Sequence, residues 1–211
     1  MTVGLGTGST AAWFVRALAA RRLDVVGVAT SKATAALARS LRLRLAELDE
    51  VETIDLTVDG ADEIGPGLAL IKGGGAALLH EKLVWTASKR CVVIADASKP
   101  AAVLGAFPLP IEVVAFGHRH TAARIGEALA ACGITAKPRL RVGGLSLKGD
   151  VAVRTDSGNL IYDAPCGAIE APAALAAALK AVTGVVEHGL FLGLAERALI
   201  GTDGGVETLW P

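Results

Sequence analysis

Thr2-Val3-Gly4-Leu5-Gly6-Thr7-Gly8-Ser9-Thr10-Ala11-Ala12-Trp13-Phe14-Val15-Arg16-Ala17-Leu18-Ala19-Ala20-Arg21-Arg22 opens the chain. A short apolar run meets a turn carrying Gly6 and Gly8, and an alanine- and leucine-rich run of helical composition follows. The order is strand, glycine turn, helix. Ser9 or Thr10 is the expected N-cap, and the first-turn amides beyond it are free to bind an anion. The pattern repeats downstream. Residues 24–29 form a valine-rich strand, Thr30-Ser31 a turn and residues 33–43 a second helix. Residues 53–58 are a third strand that ends at Asp59. Gly73, Gly74 and Gly75 open a helix running to about residue 88, and residues 91–95 are a further strand ending at Asp96. Strands that alternate with helices at this spacing give an α/β protein with a parallel sheet. Ligands gather beyond the C-terminal ends of such strands. Residues 7–10, 59–62 and 96–99 all fall there, so one cleft can hold all three.

The composition agrees with this class. Of the 211 residues 52% are hydrophobic but only 4% aromatic, so the core is built from Ala, Val, Leu and Ile, as buried parallel strands require. Lys plus Arg and Asp plus Glu both number 21, so no general field draws in nucleic acid or an anionic membrane. Cys91, Cys132 and Cys166 lack Cys-x-x-Cys spacing and read as reduced thiols of a cytoplasmic protein. No apolar run approaches the roughly 18–20 residues of a membrane span, and the first residues lack a secretory pattern.

Pro108-Leu109-Pro110 marks a change of pattern. Beyond it, residues 111–115 read as strand, 119–132 as helix and 137–142 as strand. Residues 151–155 and 160–162 flank Asp156-Ser157-Gly158-Asn159, a hairpin signal, and a helix covers about 171–181. The expected organisation is a parallel-sheet, Rossmann-like main domain from residues 1–108 plus 185–211, with a smaller α+β domain, residues 109–184, inserted. The short apolar pieces at 189–192, 198–200 and 206–209 are expected to rejoin the first sheet.

Several stretches carry chemistry. Gly6-x-Gly8-x-x-Ala11 fits a dinucleotide fingerprint, but that fold needs an acid after the second strand, where this chain has Ala29-Thr30-Ser31. A phosphate monoester needs only amides and hydroxyls, which Thr7, Gly8, Ser9 and Thr10 supply; the plain alternative is a tight strand-to-helix turn. Lys72-Gly73-Gly74-Gly75 reverses the Walker A order. Each glycine costs a helix about 1 kcal/mol, which suits either close approach of backbone to a ligand or a hinge.

Glu81 has Ala77, Leu78, Val84 and Trp85 at its i±3 and i±4 positions. A carboxylate in that stripe is costly unless paired, neutral or facing a cleft, and desolvation raises its pKa toward a general base's range. The bland reading puts Glu81 on the one wet edge of an apolar helix. Asp59-Gly60-Ala61-Asp62 can orient a sugar, form a turn or hold Mg²⁺; the scattered His80, His118, His120 and His188, none at ligand spacing to them, argue against a zinc site. Asp96-Ala97-Ser98-Lys99 reads as a helix cap and solvated lysine, or as a second charged wall.

Taken together, Gly6-Thr7-Gly8-Ser9-Thr10, Asp59-Gly60-Ala61-Asp62-Glu63-Ile64, Lys72-Gly73-Gly74-Gly75-Ala76, Glu81-Lys82 and Ala95-Asp96-Ala97-Ser98-Lys99 resemble ribose-5-phosphate isomerase, type A, in order and spacing. The resemblance implies a cytoplasmic, cofactor-free and metal-free aldose–ketose isomerase of the pentose phosphate pathway. Such an enzyme interconverts ribose 5-phosphate and ribulose 5-phosphate through an enediolate, and a homodimer or homotetramer is implied. Glu81 resembles the family's proton acceptor, with Asp59, Asp62 and Lys72 as further catalytic candidates. Thr7, Gly8, Ser9, Thr10, Asp59, Gly60, Ala61, Asp62, Lys72, Gly73, Gly74, Gly75 and Lys99 match its substrate-binding segments. Relatives usually carry a helix ahead of the first strand, whereas Met1-Thr2-Val3-Gly4 is already that strand; lack of the helix is expected to uncover apolar sheet surface. Competing readings are a non-catalytic sugar-phosphate sensor, which would bring a DNA-binding segment, and an acyl-CoA transferase with a glutamate nucleophile.

Overall fold

A computed structural model describes residues 1–146 and 149–211. The first half alternates as its composition dictates: β1 (Thr2–Leu5), α1 (Ser9–Ala20), β2 (Val26–Ala29), α2 (Lys32–Ser40), β3 (Arg44–Leu45) and β4 (Leu56–Asp59). Two short strands, β5 (Glu63–Ile64) and β6 (Leu70–Ile71), precede α3 (Leu78–Thr86) and β7 (Cys91–Asp96). Next come β8 (Leu109–Val113), α4 (His118–Ala131), β9 (Arg139–Leu140), β10 (Val142–Ser146), β11 (Gly149–Ala152), β12 (Leu160–Ala164), α5 (Pro172–Lys180) and β13 (Val185–His188). The chain closes with β14 (Leu190–Phe191), β15 (Arg197–Thr202) and β16 (Gly205–Leu209).

The main sheet has seven strands in the order β16-β15-β7-β4-β1-β2-β3, parallel except for β16. From β1 the chain builds outward through β2 to β3, then crosses back to β4 and builds the other way. The strand order therefore reverses between β1 and β4, the position at which open α/β sheets bind ligands. Alternation along β1 divides the layers. Val3 and Leu5 pack under α1 and α2 with Val15, Leu18 and Ala38. Gly4 faces the other way, where Val84 of α3 and Thr57 come so close that a Cβ would meet their atoms at 2.9 and 1.8 Å.

A second, antiparallel sheet, β13-β8-β12-β9, buries its own core of Ile111, Val113, Leu160 and Tyr162 against Ile125 and Leu129 of α4 and Leu175 and Leu179 of α5. Three expectations change here. Residues 185–188 pair with β8 as β13, so the small sheet holds the chain four residues beyond the expected boundary at 184/185. The anticipated hairpin survives only as its turn and the single Arg154–Leu160 bridge, because β12 already has β8 on one edge and β9 on the other. The piece at 189–192 supplies β14, which pairs with β6 in a three-stranded sheet with β5 rather than rejoining the main one. Residues 198–200 and 206–209 do lie in the main sheet, in β15 and β16. The three cysteines are free, with Cys91 buried, and no helix of the described residues is long and apolar enough to cross a membrane.

One buried acid secures the crossing between the sheets. Glu63 on β5 is 6% exposed and accepts the amides of Gly105 at 2.7 Å and Phe107 at 2.5 Å. Glu63→Gln turns one acceptor into a donor facing an N–H, so we expect a loss of about 1–3 kcal/mol. Urea unfolding of this variant should show a lower midpoint at unchanged slope; an unaltered midpoint removes Glu63 from the linkage.

Candidate active site

Asp59 follows Thr57 by two residues, so it points to the face of the sheet that α3 covers. Its carboxylate is fully buried. Oδ1 accepts the amides of Thr7 at 3.1 Å and Gly60 at 2.8 Å, tying the ends of β1 and β4 together. Gly6 makes this possible, because a Cβ there would lie 2.1 Å from Asp59 Oδ1. Lys72 enters from the three-stranded sheet, immediately after β6, and its backbone amide is held by Gly189 O at 2.9 Å. The ammonium donates to Gly60 O at 2.5 Å and stands 3.0 Å from Asp59 Oδ2 and 3.4 Å from Glu81 Oε2. Trp85 and Phe191, packed edge to face, lie beneath it with each ring centroid 5.4 Å from Nζ. That geometry adds cation–π attraction to a desolvated charge.

The glycine run is not helical. Gly73 has φ 109° and Ala76 φ 57°, and α3 begins only at Leu78. Glu81 therefore lies in the first turn of α3, where the helix dipole favours its ionised form. It is 3% exposed and walls the same pocket as Lys72, which excludes the wet-edge reading. No donor is aligned on Glu81 Oε2 among the described residues. Burial pushes the Glu81 carboxyl up to about 8; Lys72 opposes that rise, and the carboxylates of Asp59 and Asp62 add to it. Burial alone would lower the Lys72 ammonium, but Asp59, Glu81 and Asp62 outweigh it and hold the group above the ordinary lysine value. Burial also raises Asp62, against the Gly74 amide, which donates to its Oδ2 at 2.8 Å, and the cations Lys72, Lys99 and Arg141.

The pocket at the β1/β4 switch is walled by Thr7, Gly8, Ser9, Thr10, Gly60, Ala61, Asp62, Lys72, Gly73, Gly74, Gly75, Glu81 and Lys99. Of the candidate catalytic and substrate-binding residues only Asp59 is absent from the wall; it lies behind Lys72 and orients it, and of residues 96–99 only Lys99 reaches the wall. The anion end differs from expectation in two details. Gly8, at φ 111°, is the N-cap of α1 in place of Ser9 or Thr10, with no side-chain cap bond. The amides of Ser9, Thr10 and Ala11 thus keep no intrahelical acceptor, because the first helical bond runs from Ala12 N to Gly8 O. The Thr7 hydroxyl is not free, since it contacts Thr30 Oγ1 at 2.7 Å, Ser31 Oγ at 2.8 Å and Thr34 Oγ1 at 3.2 Å. Read from sequence alone, these three residues have no part in the site. They join the turns that start α1 and α2, and Thr34 Oγ1 also donates to Gly6 O at 2.9 Å. Asp96 accepts from Ser98 and caps a turn rather than a helix, which leaves the half-buried Lys99 facing the pocket.

A profile of the family described as ribose 5-phosphate isomerase A (phosphoriboisomerase A) matches residues 26–205. The chain belongs to the ribose 5-phosphate isomerase A family. It is 66% identical to ribose-5-phosphate isomerase A of Caulobacter sp. (strain K31), over all of this chain and 91% of that one. It is 50% identical to the enzyme of the same name from Parvibaculum lavamentivorans, over 99% of this chain and 90% of the relative. Among solved structures, ribose 5-phosphate isomerase A of Methanocaldococcus jannaschii superposes with a TM-score of 0.89 at 37% identity, covering 100% of this chain and 91% of that chain. A D-ribose-5-phosphate isomerase in complex with phospho-erythronic acid does so with a TM-score of 0.88 at 38% identity and the same coverage. Membership of the ribose 5-phosphate isomerase A family makes the chain an isomerase, which sets aside the sensor and transferase readings.

A Glu81 carboxyl that ionises near pH 8 in the unliganded protein gives a definite pH profile. A general base acts only when ionised, so kcat/KM should rise with pH, inflect near 8 and level off above. An inflection near the ordinary carboxyl value of 4.5, or no change between these limits, would show that the buried carboxyl does not control the reaction.

Proposed function

We propose that this isomerase interconverts ribose 5-phosphate and ribulose 5-phosphate, with Glu81 carrying a proton between C1 and C2 of the open-chain sugar through an enediolate. The observation that carries the proposal is the pairing of a buried carboxyl with a buried ammonium in one pocket, Glu81 Oε2 standing 3.4 Å from Lys72 Nζ. Abstraction of a proton next to a carbonyl builds negative charge on the oxygens at C1 and C2. A base alone contributes about 10²–10⁴ in rate, so that charge needs a fixed counter-charge. Lys72 supplies it, oriented by Asp59 and Gly60 O. A desolvated ammonium between two carboxylates occupies the position a metal cation would otherwise take, which supports a reaction without metal. Asp62, whose carboxyl burial raises, is suited to passing protons among the sugar hydroxyls. The phosphate belongs at the start of α1, where the amides of Ser9, Thr10 and Ala11 and the dipole favour an anion, with Lys99 as an added cation. The pentose phosphate pathway follows from the family.

Glu81→Gln keeps the shape of the site and removes the base. Its kcat should fall about 10²–10⁴-fold while sugar-phosphate affinity stays within a few-fold. Near-normal turnover would take Glu81 out of the mechanism. Wild-type protein should turn over fully with a chelator present; dependence on an added divalent ion would sink the metal-free reaction. The same reading includes a homodimer or homotetramer in the cytoplasm. Exposed Trp13, Phe116 and Trp210 offer apolar surface for assembly, and a monomer by sedimentation velocity would exclude both oligomers.

A further inference from the structure

Arg141 lies on the small domain, directly between β9 and β10, and sequence alone gives it no role. Its guanidinium is largely buried and is gripped from one side by Asp163 on β12, Nε to Oδ2 at 2.8 Å and Nη2 to Oδ1 at 2.5 Å. That fork-to-fork pair fixes the plane of the group. The remaining nitrogen, Nη1, reaches across to the main domain and donates to two consecutive carbonyls of the glycine run, Gly73 O at 2.9 Å and Gly74 O at 3.0 Å. The glycines carry no side chains of their own, and Gly73 has a left-handed φ of 109°, so apart from the turn bond from Ala76 N to Gly73 O at 3.0 Å the run depends on contacts from outside it to hold one conformation.

The consequence follows from peptide geometry. In a trans peptide the C=O and the next N–H point in opposite directions. With both carbonyls turned toward Arg141, the N–H groups of Gly74 and Gly75 must turn away from it, toward the pocket. Gly74 N–H meets Asp62 Oδ2 at 2.8 Å. Gly75 N–H has no acceptor among the described residues and belongs to the pocket wall. A cation on the carbonyl oxygens also polarises both peptides, which strengthens what their N–H groups donate.

We propose that Arg141, locked by Asp163, is a positioning residue of the isomerase: it sets the Gly74 and Gly75 amides so that one orients Asp62 and the other faces the developing enediolate. This rests on the reading of the pocket given above. Arg141 touches no reacting atom; it works through the loop, and so it should matter more to the transition state than to the bound sugar.

The test is Arg141→Ala, with Asp163→Asn as a milder variant that leaves the guanidinium in place but loosens its hold. Misplacing one stabilising donor costs roughly 10- to 100-fold in rate. For Arg141→Ala we expect kcat to drop by that factor with KM within about threefold, since the phosphate anchor is untouched. Added guanidinium ion, at concentrations that leave the wild type folded and active, should restore part of the loss. Phospho-erythronic acid presents a planar carboxylate where the enediolate has its two oxygens, so its inhibition constant should rise in step with the fall in kcat/KM. Asp163→Asn should show the same pattern, weaker and without rescue. The proposal is overturned if kcat stays within twofold of wild type in either folded variant. It is also overturned if KM rises while kcat holds, or if guanidinium restores nothing to a folded Arg141→Ala protein. Should Arg141→Ala not fold, the Asp163→Asn kinetics decide alone. Glu81→Gln measured alongside separates the two claims: loss of the base assignment would appear as retained turnover in that variant, whatever Arg141→Ala does.

Discussion

A buried ammonium set between two buried carboxylates organises this molecule. Lys72, Asp59 and Glu81 are each no more than 3% exposed, and the trio carries one more negative than positive charge when all three are ionised. Removing such charges from water costs several kcal/mol per ion, which mutual attraction offsets only when the remaining polar atoms are satisfied. Asp59 accepts two backbone amides at Oδ1 and keeps its Oδ2 3.0 Å from Lys72, and Lys72 donates to Gly60 O. Glu81 has only the 3.4 Å contact to Lys72 at its Oε2. The least-compensated member is therefore the one that takes up a proton. Chemistry and stability pull against each other at one atom, and the proton resolves the conflict.

The rest of the fold maintains that arrangement from several directions. The switch between β1 and β4 brings Thr7 against Asp59. The hydroxyls of Thr30, Ser31 and Thr34 hold the Thr7 turn rigid, so the α1 amides face the pocket rather than one another. On the far side Lys82, next to Glu81, donates to Glu187 at 2.8 Å and to the carbonyls of His188 and Leu190 at 2.7 and 2.9 Å, which clamps α3 to the segment whose Gly189 holds the backbone of Lys72. A Cβ on Gly189 would sit 2.2 Å from Lys72 O, so that contact admits no side chain. The antiparallel sheet and its connections thus reach the pocket's surroundings through Glu187 and through Arg141, without supplying a residue to the pocket wall.

Much of this was legible in one dimension. The alternation of strands and helices follows from hydrophobic period and glycine placement, both local properties, and it places residues 7–10, 59–62 and 96–99 at neighbouring strand ends. Glu81 was conspicuous because its helical neighbours are apolar. The misreadings have physical reasons too. Gly73 to Gly75 look like the start of the α3 helix by composition, yet one positive φ and two carbonyls drawn to Arg141 keep them out of it. Thr7 lines the pocket as its residue type suggests, but its hydroxyl contacts Thr30, Ser31 and Thr34, more than twenty residues away, which no local pattern shows. Residues 185–188 were assigned to the main domain by position, with nothing in the sequence to say which sheet would take them.

The sequence by itself determined the fold class, the order of the motifs and the identities of the groups able to bind an anion and move a proton, because periodicity, turn chemistry and residue type act over a few positions. Tertiary structure alone decided which charges share a dry pocket, and with them the elevated pKa of Glu81, the place of Asp59 behind Lys72 and the reach of Arg141 to the glycine run. Desolvation and pairing depend on distances between residues from 9 to 68 positions apart. Those distances exist only once two sheets have packed against each other.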